Sequence, residues 1–429
     1  MTSSGSSCTS RQASQADKVR FPHHHKREEC RLCGSHDLEC VLHLTPTPPA
    51  NAFVTEAEKD KEQVAYPLDV YRCGDCRHLQ LLDIVDPKAL YSHYVYVSST
   101  SPVMVGYLHD QCVAIVRRLA LKPGDLVVEI GSNDGTMLRF FKNAGMRVLG
   151  VDPAANVVPS AGDIETVVDF FNADVGRHIR ETHGPAKTVC AYNVCAHIDD
   201  LRGVIEGVRA LLAPDGQFVL EVGYLLDVYC KTLFDTIYHE HVDFHHVGPL
   251  KRFFADCGLK LLHVERSDIQ GGALVGYVGA ADSGEDASVG ELIALEHEAG
   301  LHRTDTYRRW GQMIRQRGEE LTALLGGLKS RGKSIAAYGA PAKATTLMYH
   351  FGLDRSLIEY IVDDNPIKQG MYTPGLHVPV FAPQALYGHK PDYVVLLAWN
   401  FAESIVAKHS RYAGKDSRFI LPLPNLALI

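Results

Sequence analysis

Leu126-Val-Val-Glu-Ile-Gly-Ser-Asn-Asp-Gly135 decides the fold. A short apolar run ends in Glu129 and Ile130, a polar turn is bracketed by Gly131 and Gly135, and Thr136-Met-Leu-Arg-Phe-Phe141 continues with helical spacing until Gly145. That order is strand, glycine turn, helix. A second strand, Arg147-Val-Leu-Gly-Val-Asp152, follows at once, and further strands over 166–169, 187–192 and 217–221 recur with helical segments between them. Pro214-Asp-Gly216 is a turn signal before the last of these. Such alternation predicts an α/β fold with a parallel, doubly wound sheet.

The same stretch predicts the ligand. Its glycines are spaced GxxxG, not the GxGxxG that admits a pyrophosphate. With Glu129 before it and Ser132, Asn133 and Asp134 inside it, the turn repels phosphate and suits the ammonium group of an amino acid. Asp152, 21 residues after Gly131, is placed to accept from ribose hydroxyls, and Asp169-Phe170-Phe171 is placed to meet an adenine edge and face. Together these describe S-adenosylmethionine. A plain strand-to-helix turn would explain the glycines alone, but not acidic residues at three successive strand ends, where ligands of such sheets bind. Asn193, just past the strand over 187–192, is assigned to the cofactor and His197 to the substrate.

Chain length and charge bound the rest. At about 150 residues per domain, 429 residues predict two to three domains. With 51 acidic and 43 basic residues the net charge is -8, which argues against a nucleic-acid partner. No leader and no long apolar span is visible, so a cytoplasmic protein with no membrane partner is expected, as monomer or small homo-oligomer. Four of the 11 cysteines form two CxxC pairs, Cys30/Cys33 and Cys73/Cys76. Four thiolates are the set that closes a tetrahedral structural zinc site. The 39-residue spacer is long, yet loop closure costs grow only logarithmically with length. Unligated surface cysteines would need two CxxC pairs by accident, and a redox role lacks its usual setting. His23, His24 and His25 read as solvated.

After the central sheet, Tyr238-His-Glu-His-Val-Asp-Phe-His-His246 lies in an insertion, where a site would be built; interfacial histidines or a second metal site are the alternatives. A linker over 280–290 and a long helix or helix pair over 292–328 lead to a second, smaller α/β unit. Its turn Gly339-Ala340-Pro-Ala-Lys343 opens a helix and offers amides and a cation for a diphosphate. Asp364 and Lys368 form the next loop. The expected organisation is a disordered tail over 1–22, a zinc-binding domain over 23–100, an S-adenosylmethionine-binding domain over 101–285 and a C-terminal α/β domain over 286–429.

The CxxC pairs, Glu129 to Gly135, Tyr238-His-Glu-His241, Gln270-Gly-Gly272 and Tyr338-Gly-Ala-Pro-Ala-Lys343 occur here in one order. In this the chain resembles the bacterial S-adenosylmethionine-dependent C-methyltransferases of deoxysugar and antibiotic biosynthesis, over nearly everything after residue 29. The resemblance implies a zinc domain, a class I methyltransferase core and a C-terminal domain that holds a dTDP-linked ketosugar. It implies methylation of the carbon alpha to the ketone of a 4-ketosugar, most simply carbon three. A carbon nucleophile requires a base and an oxyanion stabiliser. His241 is the candidate base, Glu240 its candidate orienting carboxylate, and Tyr238 the donor to the enolate oxygen. Tyr91, Tyr94 and Tyr96 lie near a family active-site tyrosine, with Tyr96 ranked first for catalysis and Tyr94 assigned to the substrate. N- or O-methylation, and a non-catalytic zinc-ribbon protein serving assembly, are the rival functions.

Overall fold

Seven strands form the central sheet of the computed structural model, which describes residues 23–91, 97–410, 412 and 418–429. The expected tail over 1–22 lies outside the described residues. Across the sheet the strands run Leu259–Ser267, Ala273–Ala280, Leu212–Gly223, Ala186–Tyr192, Leu126–Ile130, Arg147–Val151 and Thr166–Val167. All of Leu126–Ile130 is buried, as a parallel strand covered on both faces must be. Val127 points into one apolar cluster with Met104, Leu108 and Phe141 from the helices Pro102–Arg118 and Thr136–Asn143. Its neighbour Val128 points into the other, with Ile179, Val204 and Val208 from Ala173–His183 and Leu201–Leu211. Alternation along one strand thus fixes which helices lie on which side.

Two departures from expectation have simple causes. Ala273–Ala280 runs antiparallel between its neighbours. Only residues 268–272 connect it to Leu259–Ser267, too few for the crossover that a parallel partner needs. The turn signal at Pro214 to Gly216 is absorbed into the strand Leu212–Gly223 as a register irregularity between Leu212 and Gln217. The apolar residues on either side pair with Ala186–Tyr192 and carry the polar turn along.

A four-stranded antiparallel sheet orders Leu38–Thr47, Tyr66–Cys73, Leu79–Leu81 and Asp243–Phe244. Its last strand belongs to the insertion that follows the central strand Leu212–Gly223, so the insertion is built into the N-terminal unit. His24, expected to be solvated, is drawn in by the Asp83 carboxylate, 3.0 Å away. The third sheet, six-stranded, is parallel except for its final strand Ala427–Leu428. The expected helix pair before it is present as Ala287–Glu298 and Thr304–Lys329.

Helices Ala173–His183 and Leu201–Leu211 meet through Gly176 and Gly207. A Cβ on Gly207 would fall 2.5 Å from the carbonyl oxygen of Asn172, a backbone atom with nowhere to move. Gly207→Ala is therefore expected to separate the pair at a cost of about 1–3 kcal/mol. A thermal melt checks this; a wild-type melting temperature would contradict it.

Candidate active site

A cavity of about 930 Å³ is lined by strand ends of the central sheet and by loops and helix starts of the N-terminal unit, the insertion and the C-terminal unit. At one end is the glycine turn. Gly131 has φ +70°, and a Cβ there would meet Val194 Cγ2 at 2.4 Å. The turn is pinned from below: the Asp152 carboxylate accepts from the amides of Asn133 and Ala154, both at 2.8 Å. Asp134 faces inward, accepting from Thr136 Oγ1 at 2.6 Å and from the Ser99 amide at 3.2 Å, while Ser98 N donates to Asn133 Oδ1 at 3.0 Å. Glu129, Gly131, Asn133, Asp152, Phe170 and Asn193 all line the cavity; Asp134 and Gly135 lie behind it. Asp169 is exposed, outside the lining, with its side chain turned onto the Phe170 amide at 2.7 Å.

The electrostatics of this end are one-sided. Burial, then the neighbouring Asp152 and Asp134 charges, push the Glu129 carboxyl well up from its ordinary value. Glu129 Oε2 is buried without a partner, and among the described residues no salt bridge neutralises Glu129 or Asp152. A buried carboxyl pushed up for want of a partner regains its charge beside a cation, so this pocket favours a cationic ligand. S-adenosylmethionine, with its sulfonium and ammonium groups, fits that demand.

At the other end lies the insertion. His241 Nδ1 is 2.7 Å from the Thr236 carbonyl, which only accepts, so this nitrogen carries the proton. Its Nε2 is then the acceptor, facing the Tyr238 hydroxyl at 3.1 Å with the two ring centroids 4.2 Å apart. Burial pushes the His241 imidazole down to about 4, hence neutral at pH 7. His197 stands in ring contact with it at 4.8 Å and is pushed down to about 3, by burial first and then by His241. Glu240, expected to orient His241, does not do so. Its carboxylate accepts from Asn51 Nδ2 at 2.8 Å, and burial pushes it up to about 7. The reason is local: the His241 amide closes a tight turn onto the Tyr238 carbonyl at 2.8 Å, which sends adjacent side chains apart. Tyr94 and Tyr96 lie outside the described residues. Tyr91 lines the cavity, its hydroxyl donating to the Glu240 carbonyl and lying 3.1 Å from both that oxygen and His197 Nδ1.

The C-terminal unit brings two lysines to the same cavity. Lys343 Nζ sits 4.2 Å over the Trp399 ring and 3.5 Å from Asp235 Oδ2, and Lys368 Nζ donates to the Ala340 carbonyl at 2.7 Å. Burial lowers both amines from their ordinary value. Gly339 and Ala340 are not in the lining, because the Ala340 amide is spent on Asp363 Oδ2 at 2.6 Å. Asp364 is exposed beyond the cavity and holds Lys408 and the Tyr338 hydroxyl. Thr236, Asn51, Asp235 and Gln270 were not singled out by their sequence context. Of these, only Gln270 carried a signal, its place before Gly271-Gly272.

The cysteines converge as their spacing requires. Cys30 and Cys76 Sγ are 3.5 Å apart, Cys33 and Cys73 Sγ 3.6 Å, and all four lie within 4.8 Å of one another. Tetrahedral zinc with bonds near 2.3 Å sets its sulfurs about 3.8 Å apart, so the four thiols fit that ion closely.

Residues 30–91 match a zinc binding domain family, residues 104–264 a methyltransferase domain, and residues 268–424 the C-methyltransferase C-terminal domain. The chain is 37% identical over 406 residues to the C-methyltransferase NovU of Streptomyces niveus, covering 94% of this chain and 97% of that protein. It belongs to the S-adenosylmethionine-dependent C-methyltransferases. The enzyme's cofactors are S-adenosylmethionine and structural zinc, and its acceptor atom is carbon, which removes N- and O-methylation and a purely assembling role. Its central sheet is a class I methyltransferase fold. Among solved structures, the magnesium protoporphyrin IX methyltransferase ChlM of Synechocystis PCC 6803 with bound SAH is 17% identical, covering 45% of this chain and 92% of that one, with a TM-score of 0.34. The CcbJ methyltransferase of Streptomyces caelestis is 16% identical, covering 40% and 90%, with a TM-score of 0.32. No helix among the described residues is long and apolar enough to cross a membrane.

Gly131→Ala places a methyl against Val194 in a left-handed backbone, with about 1–2 kcal/mol of strain before the clash. It is expected to weaken S-adenosylmethionine binding at least tenfold by calorimetry, and Val194→Ala in the same chain is expected to restore part of the loss. No loss in the single variant, or no recovery in the double, would contradict this geometry.

Proposed function

We propose that the enzyme methylates the carbon alpha to the ketone, most simply carbon three, of a dTDP-linked 4-keto-deoxysugar, in deoxysugar or antibiotic biosynthesis in the cytoplasm. The observation that carries this reading is the neutral His241 imidazole, its lone pair on Nε2 facing the cavity's polar end beside a phenol. A saturated carbon accepts a methyl group only after a proton is removed from it, and an adjacent ketone makes that proton acidic.

In this reading His241 Nε2 takes the alpha proton. The electron pair of the C–H bond becomes the carbon–carbon double bond of the enolate, and the Tyr238 hydroxyl turns from Nε2 to the enolate oxygen. His197 and Tyr91 fix the plane of the His241 ring. Thr236 holds the tautomer, since its carbonyl keeps the Nδ1 proton in place. Bound S-adenosylmethionine supplies a methyl group made electrophilic by its sulfonium. Glu129, Asn133, Asp152, Phe170 and Asn193 hold that cofactor, with Asp134, Gly135 and Asp169 shaping their strand ends, and Cys30, Cys33, Cys73 and Cys76 hold the zinc. Lys343 and Lys368 receive the diphosphate of the substrate, with Gly339, Ala340 and Asp364 supporting their loops.

A second reading is favoured by one observation. The Glu240 carboxyl, pushed up to about 7 by burial, is the stronger proton acceptor of the two when ionised. The pH dependence separates them. With His241 as base, kcat/KM changes little between pH 5.5 and 8.5, because its folded-state value lies below that range; with Glu240 as base, kcat/KM rises through about pH 7 as the carboxylate forms, and Glu240→Gln removes the rise.

His241→Ala is expected to cut methyl transfer and alpha-carbon deuterium exchange by about 10²–10⁴ while both ligands still bind. Retention of more than about a third of wild-type rate would exclude it as base. Glu129→Gln removes the unpaired carboxylate and is expected to weaken S-adenosylmethionine about tenfold, roughly 1.4 kcal/mol; unchanged affinity by calorimetry would count against the charge argument.

A further inference from the structure

Arg31 lies between two zinc-ligating cysteines, in Cys30-Arg-Leu-Cys33, yet its guanidinium is fully buried and bonds to residues outside the cysteine cluster. It reaches two segments that are far apart in the chain. Nη1 donates to the Asp243 carboxylate at 3.0 Å and to the Val242 carbonyl at 3.1 Å. Nη2 donates to the Asp199 carboxylate at 3.1 Å, and Nε to the Asp199 carbonyl at 3.2 Å. Asp243 is two residues beyond His241, and Asp199 two residues beyond His197. The second knuckle repeats the contact: His78, two residues after Cys76, donates from Nε2 to the same Asp243 oxygen at 2.6 Å. The two segments also touch directly, Val242 N donating to the Ala196 carbonyl at 2.8 Å. One planar fork therefore spans the segments that carry the two facing imidazoles.

We propose that Arg31 is a positioning residue for methyl transfer: anchored by the zinc knuckle, it sets the spacing of His197 and His241 by holding Asp199 and Asp243 in one fork. Four thiolates would close the coordination shell of a zinc ion, which would then bear on the rate only through the residue between its ligands. This rests on the reading of His241 as the group that takes the substrate proton. Lysine keeps the charge of Arg31 but is a point donor, unable to hold both carboxylates in a plane.

The test uses full-length, zinc-loaded Arg31→Lys with a dTDP-4-ketosugar. The expected result is one zinc per chain and S-adenosylmethionine affinity within threefold of wild type, with kcat lowered at least tenfold, KM within threefold, and alpha-carbon deuterium exchange falling in parallel with kcat. Wild-type kcat, or a kcat that falls only in proportion to lost zinc, would overturn the proposal. Asp199→Asn, which weakens one arm of the fork and leaves the Asp243 pair, decides the matter if Arg31→Lys does not fold: a threefold to tenfold loss of kcat at full zinc content supports positioning, and wild-type kcat overturns it. Failure of the His241 reading is seen separately, as undiminished exchange in His241→Ala, whatever the Arg31 variants do.

Discussion

The segment over 234–246 cannot satisfy itself, and the rest of the molecule is arranged around that fact. It buries Asp235, His239, Glu240, Asp243, His245 and His246 almost completely. Buried polar groups without partners each cost on the order of 1–3 kcal/mol, so the segment is stable only where others supply the bonds. They come from every side. Asn51 donates to Glu240, Trp399 Nε1 to Asp235 at 2.7 Å, and Thr346 Oγ1 to the Ile237 carbonyl at 2.7 Å, while the Pro67 carbonyl lies 3.1 Å from His239. The N-terminal, central and C-terminal units are held against one another because all three supply bonds to the same polar loop.

That dependence makes the chemistry possible. A dry loop keeps His241 and His197 neutral, and it raises Glu240 towards 7. The glycine turn at the far end has the opposite character, three carboxylates with no matching side-chain cation at Glu129. The cavity thus joins a carboxyl-lined end to a neutral imidazole pair and two buried lysines. Breaking a buried ion pair from one side typically costs about 3–5 kcal/mol, so Asp243 and Asp235 are constrained by their partners as much as by their own neighbours.

Much of this was legible along the chain where chemistry is local. Two CxxC pairs announce their metal, because each pair is preorganised by a tight turn. The glycine turn with Glu129 before it announces its ligand, because strand, turn and helix are consecutive. The reversed strand Ala273–Ala280 was not, since apolar spacing is identical in both directions. The partners of the insertion were hidden for another reason: Asn51 reaches Glu240 across 189 residues, and Tyr91 reaches Glu240 across 149. Asn51 carries no signal in its local context, and Tyr91 stands among three candidate tyrosines with nothing local to choose between them. Glu240 was misread as the orienting group of His241 because adjacency in sequence suggests adjacency of side chains, which a tight turn reverses.

The lysine end shows the same limit. Gly339-Ala340 looks like an anion cradle, a small-residue turn before a helix. Yet a cradle needs free amides, and Asp363, 23 residues on, already occupies that of Ala340. What the turn does instead is present its carbonyl to Lys368, fixing a cation whose charge the loop alone would leave free to swing into solvent. Asp235 and Trp399 do the corresponding work for Lys343, one by charge and one by its ring face. The cations presented on this wall of the cavity are two ammonium groups held from below, and the helix start is the scaffold that positions them.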